Sequence, residues 1–192
     1  LSMKLNLGCG YFPKEGFTNV DVSPDCKPDV LHNLNDFPYP FESDLFDLIE
    51  SNHALEHLKS PLQVIKEIHR ISKPNGRVII RVPHFSRGFT HPEHKAGFDI
   101  TLLYYFSPRI KEKYIGVTFE KEKIRLRWFA QPYLRKRAIN PFLYYASISL
   151  GFLLDLAANV SPVFCSRIWC FLVGGFEEIE FHLITKKANK PT

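Results

Sequence analysis

Three sets of residues in this chain have the types and spacing to do chemistry. The first is Gly8-Cys9-Gly10, followed by Asp21. Glycines let a backbone approach a ligand with no Cβ in the way. A carboxylate at the tip of the next strand accepts hydrogen bonds from both hydroxyls of a ribose. The second set is His53-Ala54-Leu55-Glu56-His57, an H-x-x-E-H pattern. Two histidines and a glutamate on one helix face can bind zinc and activate water, which is hydrolase chemistry. The alternative for His57 is a histidine at a helix start, bonded to backbone. The third set is His84, His91 and His94. Such a loop can hold a metal, place a general base beside a reacting group, or carry surface histidines. His84, nearest a strand end, is the candidate base.

The spacing of the first set selects among nucleotides. A dinucleotide fingerprint is G-x-G-x-x-G with its acid about 20 residues on. Pro13 stands at the third glycine's place, and Asp21 comes 11 residues after Gly10, too soon for a full crossover helix. Pyrophosphate needs that helix N-terminus. S-adenosylmethionine carries no phosphate and needs only the turn and the acid.

The elements that must position these groups follow from periodicity. Lys4–Leu7, Phe17–Val20, Val30–Leu34, Phe46–Ser51 and Arg77–Val82 read as strands. Ser60-Pro61 opens a helix, with Ser60 as N-cap and Gln63 completing a capping box. Leu62, Ile65, Ile68 and Ile71 put apolar groups on one face, and Lys73-Pro74-Asn75-Gly76 ends the helix with a turn. Strands alternating with helices or loops predict a parallel α/β sheet. Beyond Pro83 the pattern changes. Thr101–Phe106 reads as a short helix, Glu122–Trp128 as a half-buried strand, 142–156 as an apolar helix and Glu178–Thr185 as the last strand.

At this point the chain resembles a known family. L-N-L-G-C-G (5–10), N-V-D-V (19–22), F-D-L-I-E-S-N-H-A-L-E-H-L (46–58) and K-P-N-G-R-V-I-I-R-V-P (73–83) follow one another as in the class I S-adenosylmethionine-dependent methyltransferases, within them the small bacterial and archaeal type-11-like group. The resemblance covers residues 4–84 well. It implies a Rossmann-like, doubly wound, mostly parallel sheet of about seven strands, the last antiparallel, with a short first crossover. It implies one domain over 3–187, with a cofactor half (3–83) and an acceptor half (84–187). It implies S-adenosylmethionine as cofactor and no metal. Gly8, Cys9 and Gly10 would line its methionine part, Asp21 would hold the ribose and Val22 would pack on the adenine. Leu34 and Asn35 would meet the adenine edge, and Asn52 and His53 would sit beside the sulfonium and the acceptor. The chain departs from the family in carrying Asn6 where an acid is usual, and in its nearly missing first helix. A non-catalytic cofactor-binding protein of the same fold is the alternative from another class.

Composition bounds the rest. With 192 residues, 45% hydrophobic, the chain can bury a sizeable core. Cys9, Cys26, Cys165 and Cys170 form no C-x-x-C pair, so reduced thiols in a cytoplasmic protein are expected. Leu1-Ser2 before Met3 reads as an expression remnant, with no signal peptide after it. The net charge of +5 hides an asymmetry. Residues 1–60 hold 4 Lys/Arg against 10 Asp/Glu, and 108–137 hold 10 against 3. A basic patch draws an anionic partner: a small anionic or amphipathic acceptor first, RNA second. After Arg135-Lys136-Arg137 come 17 uncharged residues, 138–154. These read as a helix covering the sheet or forming a homodimer interface, with peripheral membrane contact through 135–156 as the other reading.

Overall fold

The computed structural model describes residues 2–88, 91–136 and 138–187. Seven strands form one sheet: β1 (Lys4–Leu7), β2 (Thr18–Asp21), β3 (Val30–Leu31), β4 (Phe46–Asn52), β5 (Ser72–Pro83), β6 (Thr118–Arg127) and β7 (Glu178–Lys186). Their order is β3-β2-β1-β4-β5-β7-β6. The first five pair in parallel, and β7 runs antiparallel between β5 and β6. The order reverses between β1 and β4, and ligands of open α/β sheets bind off the strand ends at such a point.

Register explains which side of the sheet is the core. Leu5, Ile49, Val78 and Leu183 lie in one row across it, and all are buried. The neighbouring row, one residue on, turns the other way. It runs Asn19, Asn6, Glu50, Ile79, His182, Lys123. One face is therefore apolar and the other is largely polar. Helix α1 (Pro61–Ile71) covers the apolar face and buries Val64, Ile65, Ile68 and Ile71. A 3-10 helix, Ile100–Phe106, adds Ile100, Leu102 and Phe106. Among the described residues, the connections β1–β2, β2–β3 and β3–β4 contain no α-helix.

Several boundaries differ from expectation. β3 stops at Leu31 because Asn33 turns the chain, its Oδ1 accepting from Asn35 N at 3.1 Å. The Ser60 side chain makes no capping bond, so the capping box does not form; its carbonyl takes Gln63 N instead. Lys73–Gly76 is no simple turn. It bulges inside β5, between the pairs Phe46–Ser72 and Leu48–Arg77, with Asn75 at φ +61°. Five short segments were not legible: α2 (Phe85–Gly88), α3 (Pro132–Arg135), α5 (Pro162–Arg167) and the 3-10 turns Pro24–Cys26 and Trp169–Phe171. The apolar helix, α4, runs Pro141–Ala158.

Candidate active site

The glycine turn is built by β1 and β2 together. Gly8 N and Cys9 N both donate to Val20 O at 2.9 Å, folding the turn over the end of β2. Gly8 sits at φ +72°, and a Cβ there would lie 2.6 Å from Ala54 Cβ. That contact brings the turn after β1 against the turn after β4, and glycine alone permits it. Gly10, at φ +50°, faces open space instead. Its N–H donates to Asp21 Oδ2 at 2.8 Å, while Asp21 Oδ1 takes Ser23 N at 3.0 Å. A carboxylate has about four acceptor positions, so Asp21 is fixed in place with positions left over.

Above this turn lies a cavity of about 730 Å³ lined by Asn6, Gly8, Cys9, Gly10, Asn52 and Glu178 among others. Phe12 and Tyr133 meet over it edge to face, with ring centroids 5.5 Å apart. Asn52 is aimed by Arg81, whose Nη1 donates to Asn52 Oδ1 at 2.6 Å. Burial, with Asp21 nearby, pushes the Cys9 thiol up to about 11, so it is inert as a nucleophile. Leu34 is buried against Gly8. Asn35 is tied away, its Oδ1 accepting from Lys59 N at 2.8 Å, and Val22 is 61% exposed beyond the tip of β2. The cavity fits S-adenosylmethionine. It has a polar floor and a fixed carboxylate behind Gly10, and among the described residues no crossover helix follows β1 to offer its N-terminus to a pyrophosphate.

A second cavity, of about 580 Å³, adjoins the first; both are lined by His53, Gln131 and Leu134. The remaining wall includes Glu56, His57, Arg87, His91, His94 and Glu177. His53 is the partition. It has φ +50°, and its N–H donates to Arg81 O at 2.8 Å. Its Nε2 lies 2.6 Å from Glu178 Oε2 and its Nδ1 3.4 Å from Glu56 Oε1. Burial favours the neutral ring, but the two carboxylates outweigh it and lift its pKa to about 9. His53 therefore favours the imidazolium form near neutral pH and is placed to position, not to take a proton.

Other expectations shift too. His84 is fully buried and lines neither cavity. Its ring nitrogens meet Ser86 Oγ (2.7 Å) and Ser166 Oγ (2.9 Å), and burial drives its pKa down to about 4. It fastens the end of β5 to α5, so its reading as a base at the acceptor gives way to a structural one. The H-x-x-E-H stretch is not helical. Leu55–His57 is a 3-10 turn, and His53 turns to Glu178 instead of joining His57. The basic cluster is dispersed: Arg135 turns inward to Glu177, as does Arg87, and Arg127 pairs with Asp155. Arg137 lies outside the described residues. Glu177 was missed by sequence reasoning. It is 9% exposed and also accepts from Ala130 N at 2.8 Å, and only the fold brings its partners to it.

Comparison with known proteins fits this geometry. Demethylmenaquinone methyltransferase of Chlamydia muridarum is 35% identical over 77 residues, 35% of this chain and 34% of that protein. The aligned stretch spans about a third or less of the curated relatives it matches. Two solved structures share the fold. One is a SAM-dependent methyltransferase from Archaeoglobus fulgidus (TM-score 0.57, 14% identity, 96% of this chain and 86% of that one). The other is an S-adenosylmethionine-dependent methyltransferase from Mesorhizobium loti (0.54, 14%, 95% and 90%). S-adenosylmethionine is the cofactor that goes with this family and this fold. A methyltransferase-domain family model matches residues 8–137, more than half of the sequence, and the chain belongs to that family.

Proposed function

We propose that the chain transfers the methyl group of S-adenosylmethionine to a small amphipathic acceptor held in the second cavity. The observation that carries this is the pair of adjoining cavities with His53 as their shared wall. When bound, the cofactor supplies a methyl group already activated on a sulfonium. In this reading Gly10 and Asp21 hold the ribose. Asn52, aimed by Arg81, and His53, fixed by Glu178, set the distance between donor and acceptor, the alignment that lowers such barriers. Phe12 and Tyr133 keep water from the first cavity.

The exposed face of α4 favours an acceptor taken up at a membrane surface. Asp155 is the only charged residue of α4, and it is turned to the protein, accepting from Trp128 N at 2.6 Å. Asn159 pins the same end to Leu126 at 2.9 and 3.0 Å. The rest of α4 exposes Phe142, Leu143, Tyr145, Phe152, Leu153 and Leu156, each more than half accessible. Such a helix, anchored at one end and apolar elsewhere, suits lying in a headgroup layer. It follows α3, whose Tyr133, Leu134 and Arg135 line the cavities.

The test supplies methyl-labelled cofactor with a lipid extract, an aqueous metabolite extract or RNA. Label should enter the lipid fraction. Asp21→Ala should weaken cofactor binding by about 1.5–3 kcal/mol, as for a lost charged hydrogen-bond partner, and reduce label in proportion. Label in RNA alone would reject the acceptor class. Tight cofactor binding with no transfer to any fraction would favour the non-catalytic alternative.

A further inference from the structure

The second cavity holds a cluster for which methyl transfer by alignment has no use. Glu56, His57 and His94 each offer one ligand atom, and these atoms all lie within 4.8 Å of one another. The His57 and His94 rings are 5.0 Å apart, and His91 stacks on His94 at 4.8 Å. The backbone holds them together. Lys95 N donates to Glu56 O at 2.7 Å, and His94 N to His91 O at 3.1 Å, tying the loop to the 3-10 turn that carries Glu56 and His57.

A second observation comes from Glu56 itself. Its side chain is fully buried, and among the described residues neither carboxylate oxygen has a hydrogen-bond partner. Its charged neighbour, His53 Nδ1, stands at 3.4 Å and is shared with Glu178. Buried carboxylates are ordinarily paired, hydrogen-bonded or bound to a metal. The carboxylate lines the cavity beside two imidazoles.

We propose that Glu56, His57 and His94 form a binding site for one divalent first-row transition metal ion, open to the acceptor cavity. Two imidazoles and a carboxylate suit zinc, and also iron(II), cobalt(II) or manganese(II). Zinc bonds of about 2.0–2.2 Å place tetrahedral ligand atoms about 3.4 Å apart, so modest side-chain rotation closes the set. Three protein ligands leave a coordination position facing the cavity. This differs from the H-x-x-E-H pairing: His94, from a loop far along the chain, takes the place of His53. Resting on the methyl-transfer reading, we assign the ion the role of binding and orienting an oxygen atom of the acceptor; the site itself stands without that reading.

The test uses the metal alone, without cofactor or acceptor. Chelator-stripped protein is titrated with Zn²⁺ by calorimetry and with Co²⁺ by visible absorption. One equivalent should bind, with the intense visible bands of low-coordinate cobalt. His57→Ala and His94→Gln should each weaken binding more than ten-fold, and Glu56→Gln, which keeps the side-chain volume, should do the same. His32→Gln and His69→Gln should leave it unchanged. His94 is half-buried in a loop, and circular dichroism checks that its variant folds. Binding of less than one equivalent, or equal binding by all these variants, overturns the proposal. Cofactor affinity is measured on the same stripped sample. Intact cofactor binding without metal binding rejects the metal site alone, and the converse rejects the methyl-transfer reading alone.

Discussion

Replacing each glycine of the turn with alanine separates two roles that look alike in sequence. Gly8 and Gly10 both have positive φ, +72° and +50°. A side chain held in the left-handed region costs about 1–2 kcal/mol at either position. Only Gly8 adds a collision, its new Cβ lying 2.6 Å from Ala54 Cβ. Carbon atoms prefer about 3.5–4.0 Å, and Ala54 Cβ cannot swing away without its backbone. Overpacking of this kind costs about 1–3 kcal/mol. Gly8→Ala should therefore lose about 3 kcal/mol, and Gly10→Ala about 1 kcal/mol by the left-handed cost alone. For a domain of this size, 1 kcal/mol moves Tm by about 2–4 °C, so Gly8→Ala should melt about 6–12 °C lower. Urea unfolding followed by tryptophan fluorescence measures the stabilities, and calorimetry measures cofactor binding. The pattern should cross. Gly10→Ala, whose Cβ projects into open space, should lose more cofactor affinity than its small stability loss accounts for. Equal destabilisation of the two variants, or a Gly8→Ala protein within about 0.5 kcal/mol of the parent, the usual range of a neutral substitution, would refute the packing argument.

Two further outcomes follow from buried polar groups. His84 has its folded pKa lowered to about 4 by burial, against about 6.5 unfolded. Its contribution is present above pH 6.5 and is lost as pH falls from there towards 4, amounting to about 2 kcal/mol at pH 5. Urea midpoints at pH 7.5 and 5 should separate by more in the parent than in His84→Gln, and equal separations would contradict this. Asn6→Asp should lose about 1–3 kcal/mol at neutral pH, because Asn6 Nδ2 donates to Phe12 O (3.3 Å) and Asn19 Oδ1 (2.9 Å), and a carboxylate cannot. Part should return in acid, where the new carboxyl becomes a donor; a neutral substitution by the same urea assay would show that the contact carries no weight.

Much of the cofactor side was legible because its signals are local. The apolar positions of β1, the glycine turn and the acid ending β2 lie within residues 4–21. Helix α1 also announces itself, by period and by Ser60-Pro61. The strands carry a further signal. Lys4-Leu5-Asn6-Leu7, Arg77-Val78-Ile79-Ile80-Arg81-Val82 and Glu178-Ile179-Glu180-Phe181-His182-Leu183 largely alternate polar with apolar, whereas strands buried on both faces read as continuous apolar runs. That alternation marks a sheet with one apolar face. What sequence does not contain is return contact. His94 reaches His57, Arg135 reaches Glu177 and His84 reaches Ser166 only because loops close over the strand ends. For the same reason His84 looked like a base: its place at the end of a strand was visible, and the hydroxyls that bury it were not.

The two departures from the family pattern have one physical origin. With no helix between β1 and β2, residues 8–17 must be held by side chains. Asn19 does this, its Oδ1 accepting from Lys14 N (2.7 Å) and its Nδ2 donating to Lys14 O (3.1 Å), Phe17 O (3.2 Å) and Asp29 Oδ2 (2.9 Å). Asn6 completes the hub as a donor, which is why an acid does not suit its position. From that hub a ladder of charges crosses the second face of the sheet, from Lys14 to Glu50, Arg81, Glu180 and His182. Its side chains are 5–33% exposed, so desolvation offsets much of the attraction and the ladder adds little net stability. Its effect is geometric. Arg81 sits in its middle and also donates to Asn52 Oδ1. Where crossover helices are absent, the ionic network on the second face is what fixes a side chain in the wall of the cofactor cavity.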